Sequence, residues 1–163
     1  DLSEALRDWL LGATRGAALF LRLMAENALQ CQPPLGLIRD FVFDKNKDFP
    51  HTLDLKMYGS RPFVDAARIM ALANGVAVTS TAQRLRGATE AAGLGGSDVE
   101  AIIDGFYYVQ SLRLRRQQSL HGDEGGANRI NPDNLNELDR HILKEAFKQA
   151  RKLQDKLRLD YRL

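Results

Sequence analysis

A single cysteine, Cys31, among 163 residues excludes an internal disulfide and fits a reducing, cytoplasmic setting. The three histidines, His51, His121 and His141, are scattered. They lack His-Glu-x-x-His spacing and cysteine partners, so a zinc site has no support. No serine stands in a Gly-x-Ser-x-Gly context, which removes that signature of a hydrolase. Charge is not weighted to one sign: the formal net charge of +2 is too balanced for a surface built around nucleic acid, so any basic function is local. Long apolar runs are missing as well. The apolar residues of 17–24 are interrupted by Arg22 and preceded by Arg15, a pattern of an amphipathic or core helix and not of a membrane segment. There is no internal repeat and no low-complexity tract, the first residues show no signal-peptide pattern, and a start at Asp1 reads as a piece of something longer.

What is present suits one domain over residues 1–163, since 44% hydrophobic and 27% charged residues are ordinary for a globular chain of this length. Ser3 is placed to cap a long helix carrying Leu6, Leu10, Ala13, Ala17, Phe20, Leu21, Met24 and Leu29, which Pro33 and Pro34 end. Residues 37–43 and 53–57 read as two short extended segments joined by the polar stretch 44–48, a small hairpin. A helix from Pro62 stops near Gly75, and capping-box spacing at Ser80 with Gln83 and at Ser97 with Glu100 marks two more. The glycine-rich stretch 122–126 reads as a mobile loop, and a last helix begins between Asn134 and Asn136. The expected architecture is an all-α bundle of about five helices with a small β-hairpin near residues 37–57.

The densest concentration of chemistry lies at 53–68. Gly59 permits a turn, Pro62 suits a first helical turn, and Arg61, Asp65 and Arg68 share one helical face. With Lys56 and the helix dipole, the two guanidinium groups favour an anion such as a phosphate. A surface Arg-Asp-Arg salt-bridge row is the plainer alternative. Arg113 and Gln117 share a face of a later helix with Arg116, and Arg84 lies on the helix before it. Packed beside Arg61 and Arg68 they would form a cationic wall; the alternative is that they pair with Asp65, Glu100 and Asp104. Metal-dependent phosphoryl chemistry requires paired carboxylates, and the nearest pair, Asp98 and Glu100, sits where first-turn acids meet a helix dipole. No catalytic and no metal-binding residue is therefore assigned. The 93–96 run reads as a helix-to-helix turn, because no strand precedes it.

The Asp54-Leu55-Lys56, Gly59 and Arg61 pattern, with Leu112-Arg113-Leu114-Arg115-Arg116-Gln117, Asn128-Arg129-Ile130-Asn131-Pro132 and Leu143-Lys144-Glu145-Ala146, resembles the C-terminal helical domain of bacterial signal-transduction nucleotidyltransferases. Those proteins often carry CBS and cyclic-nucleotide-binding modules. A related pattern occurs in the uridylyltransferase of the PII regulatory protein and in glutamine synthetase adenylyltransferase. The resemblance spans nearly the whole chain; Tyr58 departs from it, standing where a small residue is expected. It implies an upstream nucleotidyltransferase domain that holds the catalytic carboxylates, a nucleoside triphosphate with magnesium, and a PII-like protein acceptor. On this reading Lys56, Arg61, Asp65, Arg68, Arg113 and Gln117 position substrate or nucleotide electrostatically, and the chain by itself is catalytically silent. The alternative is a non-catalytic regulatory or protein-interaction module of a signal-transduction protein.

Overall fold

Gly16, with φ +82°, interrupts what the apolar spacing reads as one long N-terminal helix. The result is two helices, α1 (Leu2–Thr14) and α2 (Ala18–Ala28), in a computed structural model that describes residues 1–36, 40–119 and 126–163. The cap of α1 is Asp1, whose carboxylate accepts from the Ser3 N–H at 3.2 Å, so Ser3 lies inside the helix it was expected to cap. After an irregular stretch come β1 (Leu53–Asp54), one π-helical turn (Leu55–Ser60), α3 (Arg61–Ala73) and α4 (Thr81–Ala92). Then follow α5 (Gly96–Ser119), β2 (Arg129–Ile130), a 3-10 turn (Pro132–Asn134) and α6 (Glu137–Tyr161). Among the described residues this is a bundle of six helices with one small antiparallel sheet, as the all-α reading expects.

The sheet differs from the expected hairpin in its pairing. Leu53 pairs with Ile130 and Asp54 with Arg129, so the partner of β1 arrives from beyond α5. Residues 37–39 lie outside the described residues, and nearby Leu35 and Phe41 make only an isolated bridge. The expected extension of the strand through 55–57 is replaced by the π turn, because the Asp54 carboxylate accepts from the Lys56 and Met57 N–H groups, both at 2.9 Å, and curls the chain. Ser97 falls one residue inside α5, which begins at Gly96, whereas Asn136 caps α6 through the Asp139 N–H at 2.8 Å within the expected window. Residues 122–125 of the glycine-rich loop also lie outside the described residues.

The core is organised around α3. Phe63, Ala66, Ala67, Ile69 and Met70 are buried, meeting Ile102, Ile103 and Val109 of α5 and Phe147, Ala150 and Leu153 of α6 within one cluster. Each large side chain withdrawn in this way contributes about 1.5 to 3 kcal/mol. The Phe63 and Phe106 rings lie 5.8 Å apart, and Phe41 meets Phe147 edge-on at 5.9 Å. Gly105 lets α5 and α6 approach closely: a Cβ there would stand 3.2 Å from the Ala146 Cα. Gln154 of α6, buried in this layer, donates to the Cys31 carbonyl at 2.8 Å and the Ala28 carbonyl at 3.3 Å, satisfying the end of α2. No helix among the described residues is long and apolar enough to cross a membrane.

Candidate functional site

The π turn is held from three sides, and that is what presents Lys56. Asp54 caps its start, Leu55 is fully buried, and Gly59 packs so tightly that a Cβ would meet Val109 Cγ1 at 2.9 Å. Its end runs directly into α3, with Pro62 in the first turn as expected. Lys56 is exposed, and among the described residues no acceptor holds its ammonium. Single π turns recur at functional sites because their wide backbone displaces a side chain from its regular helical position.

On α3, Asp65 is shared by two arginines. Arg61 Nε donates to its Oδ2 at 3.1 Å and Arg68 Nη1 to its Oδ1 at 3.4 Å. The hydrogen bond that Arg61 donates to Asp65 raises the Arg61 pKa above its ordinary value. The row is therefore both an ion-pair network and a net cation, since two guanidinium groups meet one carboxylate.

Arg113 of α5 approaches the π turn from the other side. It donates to Ser60 Oγ at 3.2 Å, to Gln110 Oε1 at 2.7 Å, and to Asn128 Oδ1 through Nε at 3.1 Å and Nη2 at 2.9 Å. All three acceptors are neutral, so the guanidinium is fixed in place while its charge is left uncompensated. Gln117 donates to the same Asn128 oxygen at 3.3 Å. The alternative, a pairing of these residues with Asp65, Glu100 or Asp104, is not found among the described residues: Glu100 instead binds Arg86 through both oxygens, at 2.7 and 2.8 Å.

The arginines form two groups and not one wall. Arg113 joins Gln117, Ser60 and the π turn, next to Arg61; Arg84, expected in the same wall, lies with Arg68 and Arg7 around a separate cavity. Asn128 is the residue that charge-based reading of the sequence passes over. Its oxygen gathers Arg113 and Gln117, and its carbonyl accepts from the Leu55 N–H at 2.8 Å. A neutral side chain just before β2 carries no signal of this role until the pairing of β1 with β2 is known.

Asp98 is engaged with Lys152 at 2.8 Å. Among the described residues no group of three His, Cys, Asp or Glu side chains is placed to hold a metal ion, so no metal step is assigned to this chain. The C-terminal basic residues are largely occupied as a solvated face, with Arg158 on Asp155 at 2.6 Å and Lys156 on Asp160. The site is thus Lys56, Arg61 and Arg113 about the π turn, with the amide of Gln117 beside Arg113 and with Asp65 linking Arg61 to the more distant Arg68. It is equipped to orient an anion and not to move protons.

No curated protein matches this sequence, and no solved structure does. A family model does match, over residues 18–161, which run from the first residue of α2 to the last of α6 and take in every element of the site. By that match the chain belongs to the family described as the putative nucleotidyltransferase substrate binding domain.

Proposed function

We propose that this domain forms the substrate side of a nucleotidyltransferase cleft, with Lys56, Arg61, Asp65, Arg68, Arg113 and Gln117 holding the phosphates of the nucleotide or an acidic acceptor against a catalytic domain of the same polypeptide. What supports this most directly is Arg113, a guanidinium locked by three neutral acceptors, one of them Ser60 of the π turn that carries the exposed Lys56, whose ammonium has no partner among the described residues. Charge held rigid and uncompensated stabilises an incoming anion without reorganisation. The metal-binding carboxylates belong to the upstream catalytic domain, which takes magnesium with a nucleoside triphosphate. A PII-like regulator is the proposed acceptor, as in the uridylyltransferases that the sequence resembles, in a bacterial signalling protein that also carries CBS or cyclic-nucleotide-binding modules.

The test is magnesium-dependent pyrophosphate release by the full-length natural protein, offered each common nucleoside triphosphate, with Lys56→Ala and Arg113→Ala versions checked for folding. Release that falls at least tenfold in folded variants supports the cleft. Release equal to that of the natural protein in both variants overturns it.

A second reading, a non-catalytic interaction module, draws on a different observation. Leu2, Leu6 and Trp9 of α1 and Leu19, Phe20 and Leu23 of α2 are exposed, with Trp9 at 67%. Absence of release with every nucleotide and candidate acceptor favours that module.

A further inference from the structure

Arg7 of α1, Arg68 of α3 and Arg84 of α4 line one cavity of about 250 Å³, whose apolar wall includes Leu10, Leu72 and Val76. Their charges are poorly matched by anions. Arg84 donates Nε to the Val78 carbonyl at 2.8 Å, a neutral acceptor. Arg7 has no hydrogen-bond or ion-pair partner among the described residues, and Arg68 reaches only Asp65, which it shares with Arg61. Burial, together with repulsion from Arg68 and Arg7, lowers the Arg84 pKa from its ordinary value. Three cations gathered from three helices, beside apolar surface and with part of one carboxylate between them, leave a site whose unmet need is negative charge.

We propose that this cavity binds a phosphate monoester with a compact, ring-bearing organic part, the phosphate received by Arg7, Arg68 and Arg84 and a ring set against Leu10, Leu72 and Val76. The guanidinium fork suits phosphate oxygens, and the cavity is below the usual range for a whole drug-sized ligand, about 300 to 1,000 Å³. A sulfonate presents three oxygens but a single negative charge, and a carboxylate only two coplanar oxygens, so neither matches three forks as a phosphate monoester does. Arg68 is shared with the proposed cleft, but Arg7 and Arg84 lie outside it and carry the test, so the two readings fail separately. Two sources share the chemistry, a nucleoside monophosphate and a non-nucleotide phosphate ester.

The experiment is calorimetric titration of the full 163-residue chain at low ionic strength with phenyl phosphate, AMP and inorganic phosphate. Expected is saturable binding at one site, with phenyl phosphate or AMP tighter than inorganic phosphate. Arg7→Gln and Arg84→Gln should each weaken it about tenfold, the loss of a charge-assisted contact, while Arg113→Ala leaves it unchanged. Arg7→Gln keeps the test decisive should Arg84→Gln disturb folding, because the Arg7 side chain makes no hydrogen bond among the described residues. AMP outranking phenyl phosphate identifies a nucleotide as the source, and equality identifies phosphate esters in general; both support the site. Lack of saturation with all three probes overturns it. So does Arg7→Gln binding like the natural sequence, or a loss that follows Arg113 instead.

Discussion

The Arg113 guanidinium grips the Asn128 side-chain oxygen with two donors, Nε at 3.1 Å and Nη2 at 2.9 Å, while the Asn128 carbonyl takes the Leu55 N–H at 2.8 Å. One residue thereby ties α5 to the π turn. Asn128→Ala should cost about 1 to 3 kcal/mol in urea unfolding, because it strands donors of Arg113 and Gln117. Asn128→Asp should keep the fold but neutralise Arg113, so nucleotide affinity in the cleft falls while the unfolding midpoint holds. Equal loss of both properties in the two variants would mark Asn128 as structural only.

Glycine substitutions should have opposite signs at two positions. A methyl at Gly59 meets Val109 Cγ1 at 2.9 Å, and a β-branched neighbour in a packed core has little room to withdraw. Gly59→Ala should therefore destabilise by about 1 to 3 kcal/mol. Gly12, inside α1, has nothing within 4 Å, and Gly12→Ala should stabilise by up to about 1 kcal/mol. Thermal unfolding of the pair checks both signs.

Gln154 is 1% exposed, and its amide donates to two carbonyls at the end of α2. Gln154→Leu should lose about 1 to 3 kcal/mol by leaving those carbonyls unsatisfied. Gln154→Glu sets a carboxylate against the same oxygens, which raises its pKa in the folded state above the unfolded value. The defect should be full at neutral pH and shrink as pH falls through the folded pKa, when the protonated acid can donate. Urea midpoints from pH 4 to 8 read this out.

Arg129 fastens the 44–52 segment to β2. It pairs with Asp44 at 2.8 Å, donates to Thr52 Oγ1 at 3.1 Å, and lies 5.4 Å above the Phe49 ring. The hydrogen bond from Arg129 holds the Asp44 pKa below its ordinary 3.8. A folded pKa below the unfolded one contributes stability that is complete above the unfolded value and is lost as pH falls through the folded value. Asp44→Asn should reduce stability at pH 7 by about 1 to 3 kcal/mol and flatten the acid limb below pH 4, measured by denaturant titration.

Periodic and local features were legible in the sequence. The apolar rows of α3, α5 and α6, Pro62 at the head of α3, and Asn136 before α6 all follow from spacing and capping chemistry acting within a few residues. The Arg61, Asp65 and Arg68 row was legible for the same reason. What escaped depends on contacts distant in sequence or on one backbone angle. Gly16 lies in an otherwise continuous apolar pattern, and only its φ of +82° shows the break. The pairing of Leu53 with Ile130 has no turn residue to announce it, since 74 residues lie between the strands. Arg113 and Arg84 look alike on a helical wheel, and only packing assigns the first to Asn128 and the second to the Arg7 cavity.

That long span has a kinetic meaning. Ser60 and Arg113 are 53 residues apart, and Leu55 meets Asn128 across a greater distance, so the site closes only after a costly loop search that the helices do not require. The helices supply local order early; the rim of Lys56, Ser60, Arg113 and Asn128 is a product of late assembly and, held by a two-residue ladder and a few polar contacts, among the first parts to open. A ligand bridging Lys56 and Arg113 would therefore act as a clasp on that ring of chain. Its binding should register as slowed amide exchange at Leu55 and Arg129, backbone groups that it does not itself touch.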